Sequence, residues 1–487
     1  MAATGRRVAM GRWLAAAAAA GLLVGLAAAI GTPAIGTPAI GAPALAAAPL
    51  PASDAASTQD GPIQDLTPIK ATVDFPIGAA IDGRETIGAS SKLLLRHFGQ
   101  ITPENAMKPE AWYDASHKFS PSPEIASLMD FASANHLRVY GHVLVWHSQI
   151  PAWFFQHDDG TPLTDSPADQ EVLKARMHDH IFGVAKYLSD NWGAFGGGNP
   201  VVAFDVVNEA IADGGGDALG MRQTEWFRVL GEHYVDLAFQ YADEAFNKSY
   251  AAPGVGRPVK LFINDYNTDQ PAKRTAYLAL IDRLLARGVP IDGIGHQFHV
   301  SLDVPVNNLA QALDDAGGRG LVQAVTEMDV PTGVPTSDAK FLEQGNYYRD
   351  AFRIFRDHAK ELFSVTVWGL YDARSWRDSQ GGPLIFDDAL RAKPAYYGIV
   401  DGHSDEPPLA DYSAPRNWTP YWIALGIVAA AAAMLAPRVL RARRRATRRR
   451  RLLEADDGAT RDGAVDALSR PLAAPTPRAR GLRRRKG

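Results

Sequence analysis

From about residue 63 to 403 the chain repeats one alternation: a short run rich in β-branched and aromatic residues, then a longer stretch with apolar residues three and four apart. Eight such runs occur, two of them close on a glutamate, and no glycine-rich phosphate loop follows the first. Strands that alternate with helices build parallel sheets covered by helices, so these observations predict an α/β fold, a (β/α)8 TIM barrel spanning residues 66–403. An open doubly wound sheet carries the same alternation and is the alternative. Gly78-Ala79-Ala80 has neither the spacing nor the helix of a dinucleotide site, which argues against a nucleotide enzyme.

In chain order, Arg6, Arg7 and Arg12 precede an apolar run from Trp13 to Ile30, the charged and hydrophobic parts of a secretory signal. Ala44-Leu45-Ala46 offers a small-residue cleavage site; an uncleaved N-terminal anchor is the alternative. Between them lie GTPAI, GTPAI and GAPAL, whose repeated proline forbids regular structure, so residues 1–46 are expected to be signal and spacer. The strands are predicted at Ile77–Ile81, His97–Thr102, Leu137–Trp146, Val201–Val207, Val259–Asn264, Gly293–His299, Leu321–Thr326 and Ser364–Leu370. Helical spacing lies between them, as in Ile125, Leu128, Met129 and Ala132, or Ala276, Leu278, Ile281, Leu284 and Leu285.

Residues 404–419, rich in Pro, Asp and Ser, are expected to be a linker. Tyr421–Ala436 is apolar on every side and is followed by Pro437 and a basic cluster from Arg438 to Arg451. Residues 420–440 are therefore predicted to form a transmembrane helix, with Tyr421 and Trp422 at one interface and the arginines at the cytoplasmic one. A buried alanine-rich helix is the other reading of the same run. The span would place the barrel outside the cell, at the cell membrane, and a basic tail without fixed structure, 441–487, inside. A barrel that begins with a strand and ends with a helix takes in and releases its chain at one end, so the cleft is expected to point away from the bilayer.

Residues 438–487 carry 17 Lys/Arg against 5 Asp/Glu, although the whole chain has a net charge of −4. The rest is therefore strongly acidic, which argues against the barrel binding nucleic acid. The absence of cysteine removes disulfides, thiolate nucleophiles and cysteine-ligated metals. No cofactor or metal is expected, and the catalytic domain is expected to be a monomer.

The chemistry is carried by VVAFDVVNEAI, Val201–Ile211, and by LVQAVTEMDV, Leu321–Val330. Each is a buried-strand pattern that stops on a polar group, Asn208–Glu209 in the first and Glu327 in the second. The C-terminal rim of a parallel barrel is where chemistry sits, and two glutamates there suggest a carboxylate pair that cleaves glycosidic bonds. Each glutamate could instead cap the helix that follows it. Such a pair shares acid and nucleophile duties only if its environments drive the two pKa values apart, and sequence leaves the separation, hence retention or inversion, open.

The neighbouring segments narrow this. ITPENAMKPE at 101–110, YGHVLVWHSQIPAW at 140–153, FDVVNEAI around Glu209, LFINDYN at 261–267, GIGHQFHV at 293–300, VTEMDV at 325–330 and WGLYDARSW at 368–376 resemble the family-ten glycoside hydrolases, the endo-xylanases. The resemblance covers about residues 66–403 and implies that Glu209 is the general acid/base and Glu327 the nucleophile of a retaining double displacement. It implies that Asn208 bonds the sugar 2-hydroxyl, and that His299 and Asp329 keep Glu327 ionised and aimed. Glu104, Asn105 and Lys108 match glycone-side contacts; His142 and Trp146 line the site after the third strand; Trp368 and Trp376 cover the bound ring. Gln297 and Tyr266 also match, whereas His147 and His296 receive no role and are read as structural. Phe204 stands where the family usually has Trp, a change expected to be silent. Tyr371 and Arg374, between the two tryptophans, also depart from the pattern and bear on substrate preference. The expected activity is hydrolysis of internal β-1,4 bonds of xylan or xylo-oligosaccharides by a membrane-tethered enzyme. A related β-1,4-polysaccharidase and a non-hydrolytic glycan receptor are the alternatives.

Overall fold

The computed structural model describes residues 66–214 and 216–402. Eight strands, β1 (Ile77–Ile81), β2 (Gln100–Pro103), β3 (Arg138–Val145), β4 (Val201–Asn208), β5 (Lys260–Asp265), β6 (Gly293–His296), β7 (Val322–Met328) and β8 (Leu362–Val367), pair in sequence order. Every pairing is parallel and β8 returns to β1, so the sheet is a closed barrel and the open-sheet alternative falls. The predicted signal and spacer (1–46), linker (404–419), span (420–440) and tail (441–487) lie outside the described residues. Among the described residues no helix is long and apolar enough to cross a membrane.

Local chemistry sets the helix starts. Helices α1 (Gly88–His97), α2 (Pro123–Ala134) and α3 (Pro167–Trp192) follow β1, β2 and β3 in turn. In α2 and α3 a proline opens the helix, where its missing N–H costs nothing, and Ser122 or Ser166 accepts a bond from a first-turn backbone N–H. The remaining helices are α4 (Glu225–Leu230), α5 (His233–Glu244), α6 (Pro271–Ala286), α7 (Asn307–Ala316), α8 (Asp338–Asp357) and α9 (Pro394–Val400).

Only β1 has the expected bounds; β8, expected at Ser364–Leu370, starts two residues earlier and ends three earlier, and two other boundaries differ for identifiable reasons. His97 does not open β2; it closes α1, because Leu93, Leu94 and His97 share one buried helix face. β6 stops at His296 and not at His299, because Phe298 takes a left-handed backbone, φ 52°. The alternation of sides persists through that turn: Phe298 packs outward against Phe355 while Gln297 and His299 both face the rim.

The barrel interior is layered. Tyr140, Ala203, Phe262 and Ala324 fill its lower part, large rings against small side chains. Above them the lining turns polar, with Tyr140 Oη donating to Asp205 at 2.8 Å and Thr326 Oγ1 to Asn264 Oδ1 at 2.8 Å. Register irregularities fall at the starts of β3 and β7 and again toward the C-terminal ends of β3, β4 and β7. Such bulges re-aim side chains, which is how adjacent Thr326 and Glu327 can both reach Asn264. Phe204 faces the helices, against Phe246 with ring centroids 5.2 Å apart, and lies on Gly141, where a β-carbon would come within 2.3 Å of its ring.

Both ends of the described barrel gather opposite the rim. Arg353, in the last turns of α8, donates to Gly402 O at 2.8 Å, and Arg356 bridges Ile399 O and Thr72 O ahead of β1. Tyr396 Oη donates to Thr67 O at 2.7 Å.

Candidate active site

Glu327 ends β7 almost wholly buried, with both oxygens committed. Asn264 Nδ2, from β5, donates to Oε1 at 2.8 Å, and His299 Nε2 lies 3.2 Å from Oε2. Burial alone would raise this carboxyl; the charges of His142 and His299 and the Asn264 bond outweigh it and hold Glu327 below its ordinary value. His299 is itself clamped, its Nδ1 2.9 Å from Asp329 Oδ2. Burial opposes its charge, but Asp329 and Glu327 prevail and push its pKa up to about 10. Asp329, fully buried, also accepts from Arg377 at 2.6 Å and from the Trp376 indole at 3.0 Å.

Glu209 follows the last residue of β4 with φ 56°, a conformation disfavoured for a side chain with a β-carbon. Its N–H is tied to Asn264 O at 2.8 Å. Its Oε1 lies 3.3 Å from both Asn208 Nδ2 and Gln297 Nε2, while Oε2 faces His147 Nε2 at 3.8 Å. The two glutamates hang on one amide network: Asn208 Oδ1 accepts from Gln297 and from Asn264, each at 3.1 Å, and Asn264 reaches Glu327. Both carboxyl groups therefore line the same face of the barrel mouth.

The other sequence-predicted residues gather around this pair. His142 Nδ1 lies 2.8 Å from Asp205 and 4.0 Å from Glu327 Oε1. His142, Asp205 and Glu327 bring three ligand-type atoms within 4.8 Å of one another, but Asn264 Nδ2 donates to both carboxylates, at 3.4 and 2.8 Å, so an N–H occupies the place a cation would need. Lys108 is buried beside Trp146, its Nζ 5.1 Å from the ring centroid and 2.8 Å from Asn105 Oδ1. Burial lowers its pKa against the pull of Glu327, Glu104 and Glu209, and burial raises Glu104 against the pull of Lys108. Trp368 is buried edge-on to His142, centroids 5.2 Å apart, whereas Trp376 is 60% exposed over His299. Tyr266 takes a hydrogen bond from Arg222 at 2.8 Å and lies under Lys273 Nζ at 4.1 Å. Arg374 does not point freely into the cleft; it pairs with Glu85 and Asp82 after β1, at 2.6 and 2.5 Å.

Residues 68–402 match the family model for glycosyl hydrolase family 10. The chain belongs to that family. It is 34% identical over 355 residues to endo-1,4-beta-xylanase A of Halalkalibacterium halodurans, covering 67% of this chain and 84% of that one. It is likewise 34% identical over 330 residues to exoglucanase XynX of Acetivibrio thermocellus, covering 67% of this chain. The chain spans only about a quarter of the length of the longer curated relatives it matches, 28% and 27% in two of them. Among solved structures it resembles TsXylA, described as an intracellular xylanase from Thermoanaerobacterium saccharolyticum, in complex with xylotetraose. The TM-score is 0.62 at 32% identity, covering 69% of this chain and 99% of that chain.

Three residues of this family-10 site escape a sequence reading. Asn264 and Asp205 are polar side chains inside apolar strands, and that misfit was the available signal. His147, expected to be structural, stands instead beside Glu209, where burial lowers its pKa against the glutamate's pull. His296 does fit a structural reading, bonded to Thr268 at 2.9 Å and Gln323 at 3.1 Å in full burial.

Proposed function

We propose that this glycoside hydrolase is an endo-1,4-β-xylanase that works by a retaining double displacement, with Glu327 as nucleophile and Glu209 as acid/base. The observation that carries the assignment is the asymmetry of the two carboxyls. Glu327 receives donors on both oxygens, from Asn264 and His299, so it is held ionised and aimed. Glu209 receives amides on Oε1 alone, and among the described residues no hydrogen bond reaches Oε2, which leaves that oxygen to hold a proton. Opposite protonation duties are what the chemistry requires.

In the first step a Glu327 oxygen bonds the anomeric carbon while the glycosidic C–O bond breaks, and the Glu209 proton passes to the leaving oxygen. In the second, Glu209 takes a proton from water, whose oxygen displaces Glu327 and restores the configuration. The Asn208 amide is placed to bond the 2-hydroxyl, a contact that tightens in the oxocarbenium-like transition state. As Glu327 loses its charge to the ester, the protonated His299 keeps Asp329 as its counter-ion. Lys108, Asn105 and Glu104 hold the glycone side; His142 and Trp146 line the site after β3; Trp368 and Trp376 cover the ring; Gln297 and Tyr266 complete the lining.

Support for the substrate comes from relatives named as xylanases and from the xylotetraose complex of the similar TsXylA. The name of the exoglucanase relative favours testing a second reading, a β-1,4-glucan substrate. The enzyme is proposed to be tethered to the outer face of the cell membrane by residues 420–440, a reading supported by the unbroken apolar run Tyr421–Ala436 and the arginines from Arg438 onward. Reducing ends released from xylan, cellulose and mixed-linkage glucan by wild type, Glu327→Gln and Glu209→Gln test the activity. Release from xylan that Glu327→Gln abolishes supports the reading; xylan binding without any product gives the glycan-receptor alternative.

A further inference from the structure

The geometry points to Arg222 as a positioning residue for the acid/base Glu209, an inference that rests on the roles just proposed. Glu209 turns its carboxyl into the cleft only because its backbone adopts the left-handed conformation, φ 56°, which a residue with a β-carbon does not hold unaided. Something must bind the backbone on the far side. Arg222, thirteen residues on, closes the rim loop that an Ile211–Met221 bridge folds back on itself. Its Nε donates to Glu209 O at 2.9 Å, its backbone N–H to Ala210 O at 2.8 Å, and its Nη2 to Ile211 O at 3.1 Å. One residue thus takes three consecutive carbonyls, the stretch in which the chain reverses hand.

Its own aim is fixed in turn, because Nη2 also donates to Tyr266 Oη at 2.8 Å. The neighbouring bonds complete the clamp: Lys273 Nζ reaches Ile211 O at 2.8 Å, and Asp265 Oδ2 takes the Ile211 N–H at 3.0 Å. The planar guanidinium is suited to this, since a fork of fixed N–H directions can span Glu209 and Ile211 together, whereas an ammonium is a single point. Arg222 makes no hydrogen bond to the Glu209 carboxyl, so it acts on where the proton sits and not as a proton donor.

This role has a kinetic signature that general loosening of the rim lacks. Misplacing Glu209 slows bond cleavage in proportion to how much the leaving oxygen needs a proton; a poor leaving group suffers and a good one is spared. The test measures kcat/KM of the full chain on phenyl and 2,4-dinitrophenyl β-xylobioside for wild type, Arg222→Gln, Arg222→Lys and Glu209→Gln, with thermal melting of each. Arg222→Gln is expected to lose about tenfold or more extra on the phenyl substrate relative to the dinitrophenyl one, within the roughly 10²–10⁴-fold worth of a general acid. Arg222→Lys, which can reach one carbonyl, should fall between wild type and Arg222→Gln. Equal losses on the two substrates, or none, overturn the proposal; should Arg222→Gln not fold, the same comparison on Arg222→Lys decides. If Glu209→Gln itself fails to discriminate between the substrates, the acid/base assignment is wrong and this inference goes with it.

Discussion

Replacing His299 by Asn removes the cation that lies between Glu327 and Asp329 while leaving a polar side chain of similar bulk. In the wild type, burial raises Glu327, and the charges of His142 and His299 with the Asn264 bond bring it below its ordinary value. Without His299 fewer charges oppose the effect of burial on Glu327, and the buried Asp329 carboxylate loses the counter-ion that lay between the two acids. A hydrogen bond to a charged group is worth about 1.5–3 kcal/mol, roughly ten- to a hundredfold in an equilibrium, and its loss moves Glu327 upward. Because the nucleophile must be ionised, the acid limb of kcat/KM should move to higher pH. A dinitrophenyl xylobioside isolates this limb, since its leaving group needs no proton from Glu209. An acid limb that stays in place would refute the argument that His299 keeps Glu327 charged. Stability offers an independent check with the opposite sign. A histidine raised to about 10 in the folded state stabilises fully below its unfolded value near 6.5, and that contribution drains away as pH climbs between the two. The wild type should therefore lose stability across that window, and His299→Asn should show a flatter slope there.

Four further perturbations follow from the same contacts. Asn264→Ala strips Glu327 Oε1 and Asn208 of a shared donor and should reduce kcat/KM on xylan by about 10- to 100-fold, read from initial rates. Gly295→Ala would bring a β-carbon within 2.4 Å of Asn264 Oδ1, so it should cost about 1–3 kcal/mol in urea unfolding and lower kcat as Asn264 is displaced. Lys393→Met leaves the buried Asp372 without the ammonium 3.0 Å away and should destabilise by about 3–5 kcal/mol, measured as a shift in denaturation midpoint. Trp376→Ala removes an exposed ring proposed to cover the sugar, so KM for xylo-oligosaccharides should rise about tenfold with little change in melting temperature.

The barrel was legible because its signal is repeated eight times and the strands are mostly apolar, as at Val201–Val207 apart from Asp205. Glu209 and Glu327 stood out because a carboxylate at the end of such a strand has nothing to pack against. What sequence could not show were features that arise only when strands meet. Asn264 gains its importance from Glu327 and Asn208, which lie on two other strands, and no periodicity marks that convergence. The left-handed turns at Glu209 and Phe298 were equally hidden, since neither is a glycine or an asparagine, the residues that announce such a backbone. His147 was passed over because it follows Trp146 directly and its segment, 140–153, holds no carboxylate; the one it faces comes from the residue after β4.

Asp329 is a junction for otherwise separate parts of the molecule. Through one oxygen it holds the histidine behind the nucleophile and the indole of Trp376, and through the other it holds Arg377. A chimera that imported residues 368–386 from a relative would therefore be expected to alter acid tolerance together with sugar preference.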